Sequence, residues 1–162
     1  MILTPSARRR LYRGGHPNRL ARAMNRLSAA MFSSGFLSPS HAVTLEVTGR
    51  RSGRTVACPL VLTTYDGERY LVSMLGRGAN WVANVRATDG YAVLRRRRRE
   101  PVRLVEVDPG DRAPILRRFL ALAPGARPHV PVDQHAPLAE FERIAADYPV
   151  FRVCGRAEEE SR

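Results

Sequence analysis

The sequence predicts an α+β fold in which helices flank a small antiparallel β-barrel of six strands. Three observations carry that reading. Apolar and polar residues alternate at period two in several short segments between residues 43 and 153. Hairpin signals such as Asp66-Gly67 join neighbouring segments, which favours antiparallel pairing. Stretches with helical spacing are interspersed without the regular strand–helix alternation of a parallel sheet. A chain of 162 residues with 44% hydrophobic content suffices for one such domain, expected over residues 17–156.

The elements follow in order. Residues 1–16 are basic, contain Pro5 and Gly14-Gly15, and read as a flexible arm. Over 17–33, Leu20, Met24, Leu27 and Met31 recur at spacings of four, three and four, the mark of a helix, and Arg19, Arg22 and Arg26 form a second stripe. Pro17 suits its first turn, and Gly35 and Pro39 end it. Val43, Leu45 and Val47 then alternate with Thr44, Glu46 and Thr48 as the first strand. Gly49–Gly53 connects it to a second strand over 54–65, where Val56, Cys58, Leu60 and Leu62 share a face. Pro59 cannot donate to a ladder, so it marks an edge, a bulge or a bend. The third strand runs over 69–74. Leu75 to Asn80 break the pattern, and 81–87 reads as a short helix with Asn80 as its N-cap.

Two strands, around Tyr91–Leu94 and Val102–Val105, flank Arg95–Arg99. A helix over 112–123 follows, capped by Asp111, with Leu116, Phe119, Leu120 and Ala123 as its apolar face. Pro124-Gly125 stops it, and 124–136 is a proline-stiffened loop. A further helix over 137–148 ends at Pro149, a short strand occupies 150–153, and 157–162 form a frayed tail.

The charge balance is strongly basic, 27 basic against 15 acidic side chains, or +12. Every basic residue is Arg, the bias of a GC-rich, bacterial coding genome. Such charge suits nucleic acid, an anionic lipid surface or an anionic small molecule. Five of the charges sit in Arg95–Arg99. Only Tyr91 lies nearby, so no aromatic platform is interleaved for stacking on bases, and a solvated hairpin tip is the favoured reading. Nucleic acid is thus a disfavoured partner. The helix over 17–33 reads first as an element packed on the core; anionic membrane contact through residues 1–33 is the sharper alternative.

No apolar run approaches the ~18 residues of a spanning helix. The N-terminus lacks the apolar region of a signal peptide, so a cytoplasmic location is expected. Cys58 and Cys154 lie far apart without metal-ligand spacing, and His16, His41, His129 and His135 form no paired motif. Free thiols and no metal site are expected.

No nucleophile–base pair, P-loop or dinucleotide fingerprint is present. Two constellations stand out. Gly49-Arg50-Arg51-Ser52-Gly53-Arg54 places guanidinium forks, a hydroxyl and glycine backbone in one hairpin loop, a combination suited to an anion and also to an ordinary exposed loop. From Ser73 to Asn84 a strand ends in glycines and a helix starts, which gathers unpaired N–H groups and the positive helix end at one place. That suits an electron-rich or anionic cofactor, and equally a simple strand-to-helix turn.

Together these segments resemble the deazaflavin-dependent nitroreductase family, split β-barrel proteins that bind coenzyme F420. The resemblance rests on Thr48-Gly49-Arg50-Arg51-Ser52-Gly53, then Pro59-Leu60, then Leu71-Val72-Ser73, Gly76 and Gly78, Trp81 and Asn84, and Arg86-Ala87. It covers residues 43–107 most strongly, and Pro149-Val150-Phe151-Arg152 is also similar. The chain departs from the family in a shorter loop before Trp81, in Thr88-Asp89-Gly90 where an Asn-Pro is usual, and in Arg127-Pro128-His129-Val130 where some members carry tyrosines.

The resemblance implies a split barrel and an F420H2-dependent reductase that passes a hydride to a quinone, nitro or enone-type acceptor. The cofactor carries the chemistry, so no catalytic side chain is assigned. Arg50, Arg51, Ser52 and Arg54 would hold the phosphate and glutamate tail. The backbone of Ser73, Met74, Leu75, Gly76, Arg77 and Gly78 would hydrogen-bond the ring, which Pro59 and Leu60 would wall. Trp81 and Asn84 would brace the glycine loop or line the tail groove, and Arg86 would reach the tail or cap its helix. Members of this barrel class are often dimers, so a homodimer is compatible with the resemblance, which does not itself set the oligomeric state. The competing expectations are an FMN protein on a similar barrel, and a non-enzymatic basic module binding nucleic acid or anionic membrane.

Overall fold

The computed structural model describes residues 41–156. The expected arm (1–16), first helix (17–33) and tail (157–162) lie outside the described residues. Six strands, β1 (Ala42–Thr48), β2 (Thr55–Tyr65), β3 (Glu68–Val72), β4 (Tyr91–Arg95), β5 (Arg99–Glu106) and β6 (Val150–Gly155), close into an antiparallel barrel in the order β1-β2-β3-β6-β5-β4. Helix α1 (Asn80–Ala87) follows β3, and α2 (Ala113–Leu122) and α3 (Leu138–Ile144) lie between β5 and β6.

Strand alternation sorts the side chains into two cores. Val43, Leu45, Val47, Leu71, Leu94, Val102, Leu104, Phe151 and Val153 fill the lumen, and Trp81, Val82 and Val85 of α1 join them. Trp81 stacks at a tilt on Phe151 with ring centroids 5.5 Å apart. On the outer face, Val61, Tyr70, Val72 and Val150 pack with Ile115, Leu116, Phe119 and Leu120 of α2 and Phe141 of α3. Those of these side chains that are fully buried contribute about 1.5–3 kcal/mol each; Val61 and Tyr70 are only partly buried.

The boundaries correct several expectations. β3 ends at Val72, not Met74, because Ser73 N–H donates to Pro149 O and the chain turns at Gly76. The N-cap of α1 is Ala79, and Asn80 is the first helical residue. The N-cap of α2 is Arg112 rather than Asp111, which belongs to a preceding 3₁₀ turn. Arg112 is buried and donates to Val107 O, Ala145 O and Glu106 Oε1. The helix expected over 137–148 is α3 followed by a 3₁₀ turn at Ala145–Asp147. Gly90 carries φ +84°, and a Cβ there would lie 2.3 Å from Leu104 O, so the α1–β4 turn admits only glycine.

The barrel is open between β2 and β3 at one end. β2 pairs with β1 over Thr55–Val61 but with β3 only over Leu62–Tyr65. Pro59 lies in the half without a β3 partner, and the β1 register runs through it unbroken. It is therefore an edge residue, neither bulge nor bend. Leu62 N–H donates to His41 O, so even-numbered residues of β2 bond to β1 and the missing donor of Pro59 falls on the open side.

The arginine run is a hairpin. Arg96, Arg97 and Arg98 form its exposed tip, as expected, but Arg95 and Arg99 are not simply solvated. They sit opposite each other in the ladder and share the buried Glu46, at 2.9 Å and 2.8 Å. The carboxylate offsets the repulsion that two facing cations create.

Candidate functional site

Antiparallel pairing brings the two constellations to one end of the barrel. The end of β1 meets the start of β2 there, and the end of β3 meets the start of β6. The loop after β1 is closed by Gly49 N–H to Arg54 O at 2.8 Å and Gly53 N–H to Gly49 O at 2.9 Å. Helix α1 then ties it down. The buried Asn84 side chain accepts, through Oδ1, the backbone N–H of Arg50 at 3.1 Å and its Nη1 at 2.9 Å. Arg50 thus serves to hold the loop.

Arg51, Ser52 and Arg54 remain exposed on this tethered loop, where Ser52 Oγ accepts Arg54 N–H at 3.2 Å. Neither Arg51 nor Arg54 has a carboxylate partner among the described residues. Two guanidinium forks beside a hydroxyl fit an anionic, phosphate-bearing tail.

The glycine turn is rigid. Ser73 is fully buried, and its hydroxyl donates to Gly76 O at 2.7 Å while Gly76 N–H returns to Ser73 O at 3.2 Å. Met74 packs into the outer core and Leu75 against the lumen core, so the turn is wedged between both. Gly76 needs its φ of +80°, since a Cβ would also approach Asp147 O to 3.2 Å. Around Gly78 a Cβ would meet nothing within 4 Å, so backbone is accessible there. Helix α1 begins at the next residues without a side-chain cap, which leaves first-turn N–H groups facing this space.

Several expected site residues have other partners. Arg77 pairs with Asp147. Arg86 forms a fork with Glu106, at 3.1 Å and 2.6 Å, and that pairing raises its pKa further. Trp81 belongs to the lumen core and is buried there. Pro59 and Leu60 point to opposite faces of β2, so they cannot wall the same side of a ring; Leu60, with Cys58 and Leu62, faces the lumen. Sequence reasoning missed Glu106 and Asp147, because each meets its arginine only through tertiary packing, 20 and 70 residues away. The arginine hairpin lies at the opposite barrel end: its root, Arg95, pairs with Thr44, about 13 Å along β1 from Thr48.

Cys58 and Cys154 are both free. Among the described residues no helix is long and apolar enough to cross a membrane.

A family model described as F420H(2)-dependent quinone reductase matches residues 18–129. No curated protein matches the chain. Among solved structures, an F420-H2 dependent reductase, FDR-A, is 24% identical, with 70% of this chain and 94% of that one covered and a TM-score of 0.45. Atu2129 of Agrobacterium tumefaciens, of unknown function, shares the fold at 13% identity and a TM-score of 0.53, over 83% of this chain and 56% of that one. Rv2991 of Mycobacterium tuberculosis is 16% identical, over 78% and 79%, with a TM-score of 0.47.

Proposed function

The chain belongs to the F420H2-dependent quinone reductase family and is an F420-dependent reductase, and from that premise we propose that it reduces a quinone at the barrel end that carries both constellations. The observation that carries this placement is the pair of hydrogen bonds from Arg50 to Asn84, which fixes the basic loop against the helix that starts at the glycine turn.

When bound, the cofactor supplies a hydride from its reduced ring. The protein supplies position and electrostatics. Arg51, Ser52 and Arg54 hold the phosphate and glutamate tail, where charge-assisted contacts contribute most. Arg50 and Asn84 set the loop's place and Ser73 sets the turn's shape. The accessible backbone near Gly78 and the uncapped start of α1 would offer N–H groups to the polar edge of the bound ring and so fix its orientation. Leu75, in the turn itself, would give the ring an apolar neighbour. No side chain here needs to move a proton, in keeping with two-electron chemistry on the cofactor.

A quinone fits better than a nitro or enone acceptor because it matches the activity of the family. A homodimer, and contact with anionic membrane through residues 1–33, remain proposals that equilibrium sedimentation and vesicle co-sedimentation decide. The function is tested by titrating the protein with F420 and with FMN, followed by absorbance and fluorescence. The bound, reduced protein is then assayed against a quinone, a nitroaromatic and an enone. Tight F420 binding with preferential quinone turnover supports the reading; preferential FMN binding overturns it.

A further inference from the structure

The half of β2 that β3 leaves uncovered is a line of backbone polar groups beside the site. Leu62 N–H donates to His41 O and Gly49 N–H to Arg54 O, so even-numbered residues of this stretch face β1. Thr55, Ala57 and Pro59 therefore face away from β1, where no strand partner covers them among the described residues. The open edge offers N–H groups at Thr55 and Ala57 and carbonyls at all three positions. Pro59 lacks an N–H and so breaks the donor–acceptor alternation that an added strand requires. The edge suits a small carbonyl compound better than another β-strand. Its flank is apolar: Val56 is 40% exposed, while Cys58 and Leu60 are half-buried against the lumen core. The basic loop joins it directly at Arg54.

We propose that the acceptor quinone docks edge-on against β2, with one carbonyl oxygen accepting the Ala57 N–H. This rests on the reading that the chain reduces a quinone with F420H2. In that reaction the quinone takes up a hydride, which is two electrons and one proton, and a second proton from solvent to become the hydroquinone. The reduced cofactor loses the same hydride and releases one proton to solvent. Negative charge rests on a quinone oxygen until the solvent proton arrives, and a fixed backbone donor stabilises it without reorganisation. Cys58 is compatible with this neighbour. Burial pushes its thiol up to about 12, so no thiolate is present at neutral pH to add to the quinone.

Ala57→Pro removes one N–H on the open side, keeps the β1 ladder, and repeats what Pro59 already does two residues on. The expected result is an unchanged Tm, an F420 Kd within twofold of wild type, and a kcat/KM for a soluble naphthoquinone at least tenfold lower. Cys58→Pro, which removes a donor to β1, is expected to lower the Tm and so checks the assigned facing. If Ala57→Pro does not fold, the Ala57 amide resonance of the wild-type protein with oxidised F420 is followed as naphthoquinone is added. A shift there among the largest supports the docking, and no shift overturns it. A folded Ala57→Pro protein with wild-type kcat/KM overturns the inference while leaving the reductase reading intact. Loss of F420 affinity in parallel puts the cofactor, not the acceptor, on this edge and also overturns it. Conversion of a dimer to monomers does the same by assigning the edge to a second copy. Absence of quinone turnover by F420-loaded wild type refutes the reading on which the inference stands.

Discussion

Asn84→Leu separates the tether from the ligand contacts. The substitution keeps the approximate shape of a buried side chain but removes the oxygen that accepts both Arg50 N–H and Arg50 Nη1. A hydrogen bond to a charged group contributes about 1.5–3 kcal/mol and a neutral one about 1. Arg50 is exposed, so the charged bond belongs at the low end of its range. The tether is then worth about 2–3 kcal/mol. In the variant the loop undocks, and cofactor binding has to order it again. That transfers most of the loss to affinity: about 2 kcal/mol corresponds to roughly a thirtyfold rise in Kd. The rest appears as a fall in Tm of a few degrees. Fluorescence titration with F420, beside a thermal melt, reads both quantities. A folded Asn84→Leu protein whose Kd lies within twofold of wild type would refute the claim that the tether pre-orders the binding loop.

Three further outcomes follow from particular contacts. Ser73→Ala should destabilise by about 1 kcal/mol in a thermal melt, because it removes the hydrogen bond from the buried Ser73 hydroxyl to the half-buried Gly76 carbonyl; an unchanged Tm contradicts the assigned role. Thr63 Oγ1 is buried with no hydrogen-bond partner among the described residues, so Thr63→Val should leave the Tm equal or higher, and a clear fall would show that the hydroxyl has one. The Arg69 fork, at 2.9 Å and 2.7 Å, holds the Glu100 carboxyl below its usual range. Its contribution is present above the unfolded pKa of about 4.3 and is lost as pH falls through the lower folded value. Glu100→Gln should therefore flatten the acid side of a stability–pH profile, and an unaltered slope counts against the pair.

Much of the fold is legible in the sequence because one physical signal repeats. Strict alternation along Val43–Val47 and Cys58–Leu62 places those residues in the lumen, where the structure has them. The stripe Leu116, Phe119 and Leu120 likewise selects the face of α2 that packs on the barrel. Caps were less legible, since Ala79 and Arg112 hold those positions through tertiary contacts that no local rule encodes. The same limit governs the site. The basic loop is local in sequence, so Arg51, Ser52 and Arg54 can be read from it directly. The separation of Arg50, Arg77 and Arg86 from arginines that have no carboxylate partner among the described residues cannot, because Asn84, Asp147 and Glu106 reach them only once the barrel has closed. Pro59 is the reverse case: its missing donor announced an edge that the β2–β3 gap accounts for.

The central claim is that the loop at Gly49–Arg54, and not the arginine hairpin at the other barrel end, receives the anionic cofactor tail. One fluorescence titration of F420 into three proteins tests it: wild type, Arg51→Ala with Arg54→Ala, and Arg96, Arg97 and Arg98 each replaced by Gln. Each loop guanidinium contributes about 1.5–3 kcal/mol to a charge-assisted contact, so the double variant should lose at least tenfold in affinity, and the hairpin variant should stay within about twofold of wild type. Wild-type affinity in the loop variant, with binding lost in the hairpin variant, would place the anion site at the opposite end of the barrel and contradict the account.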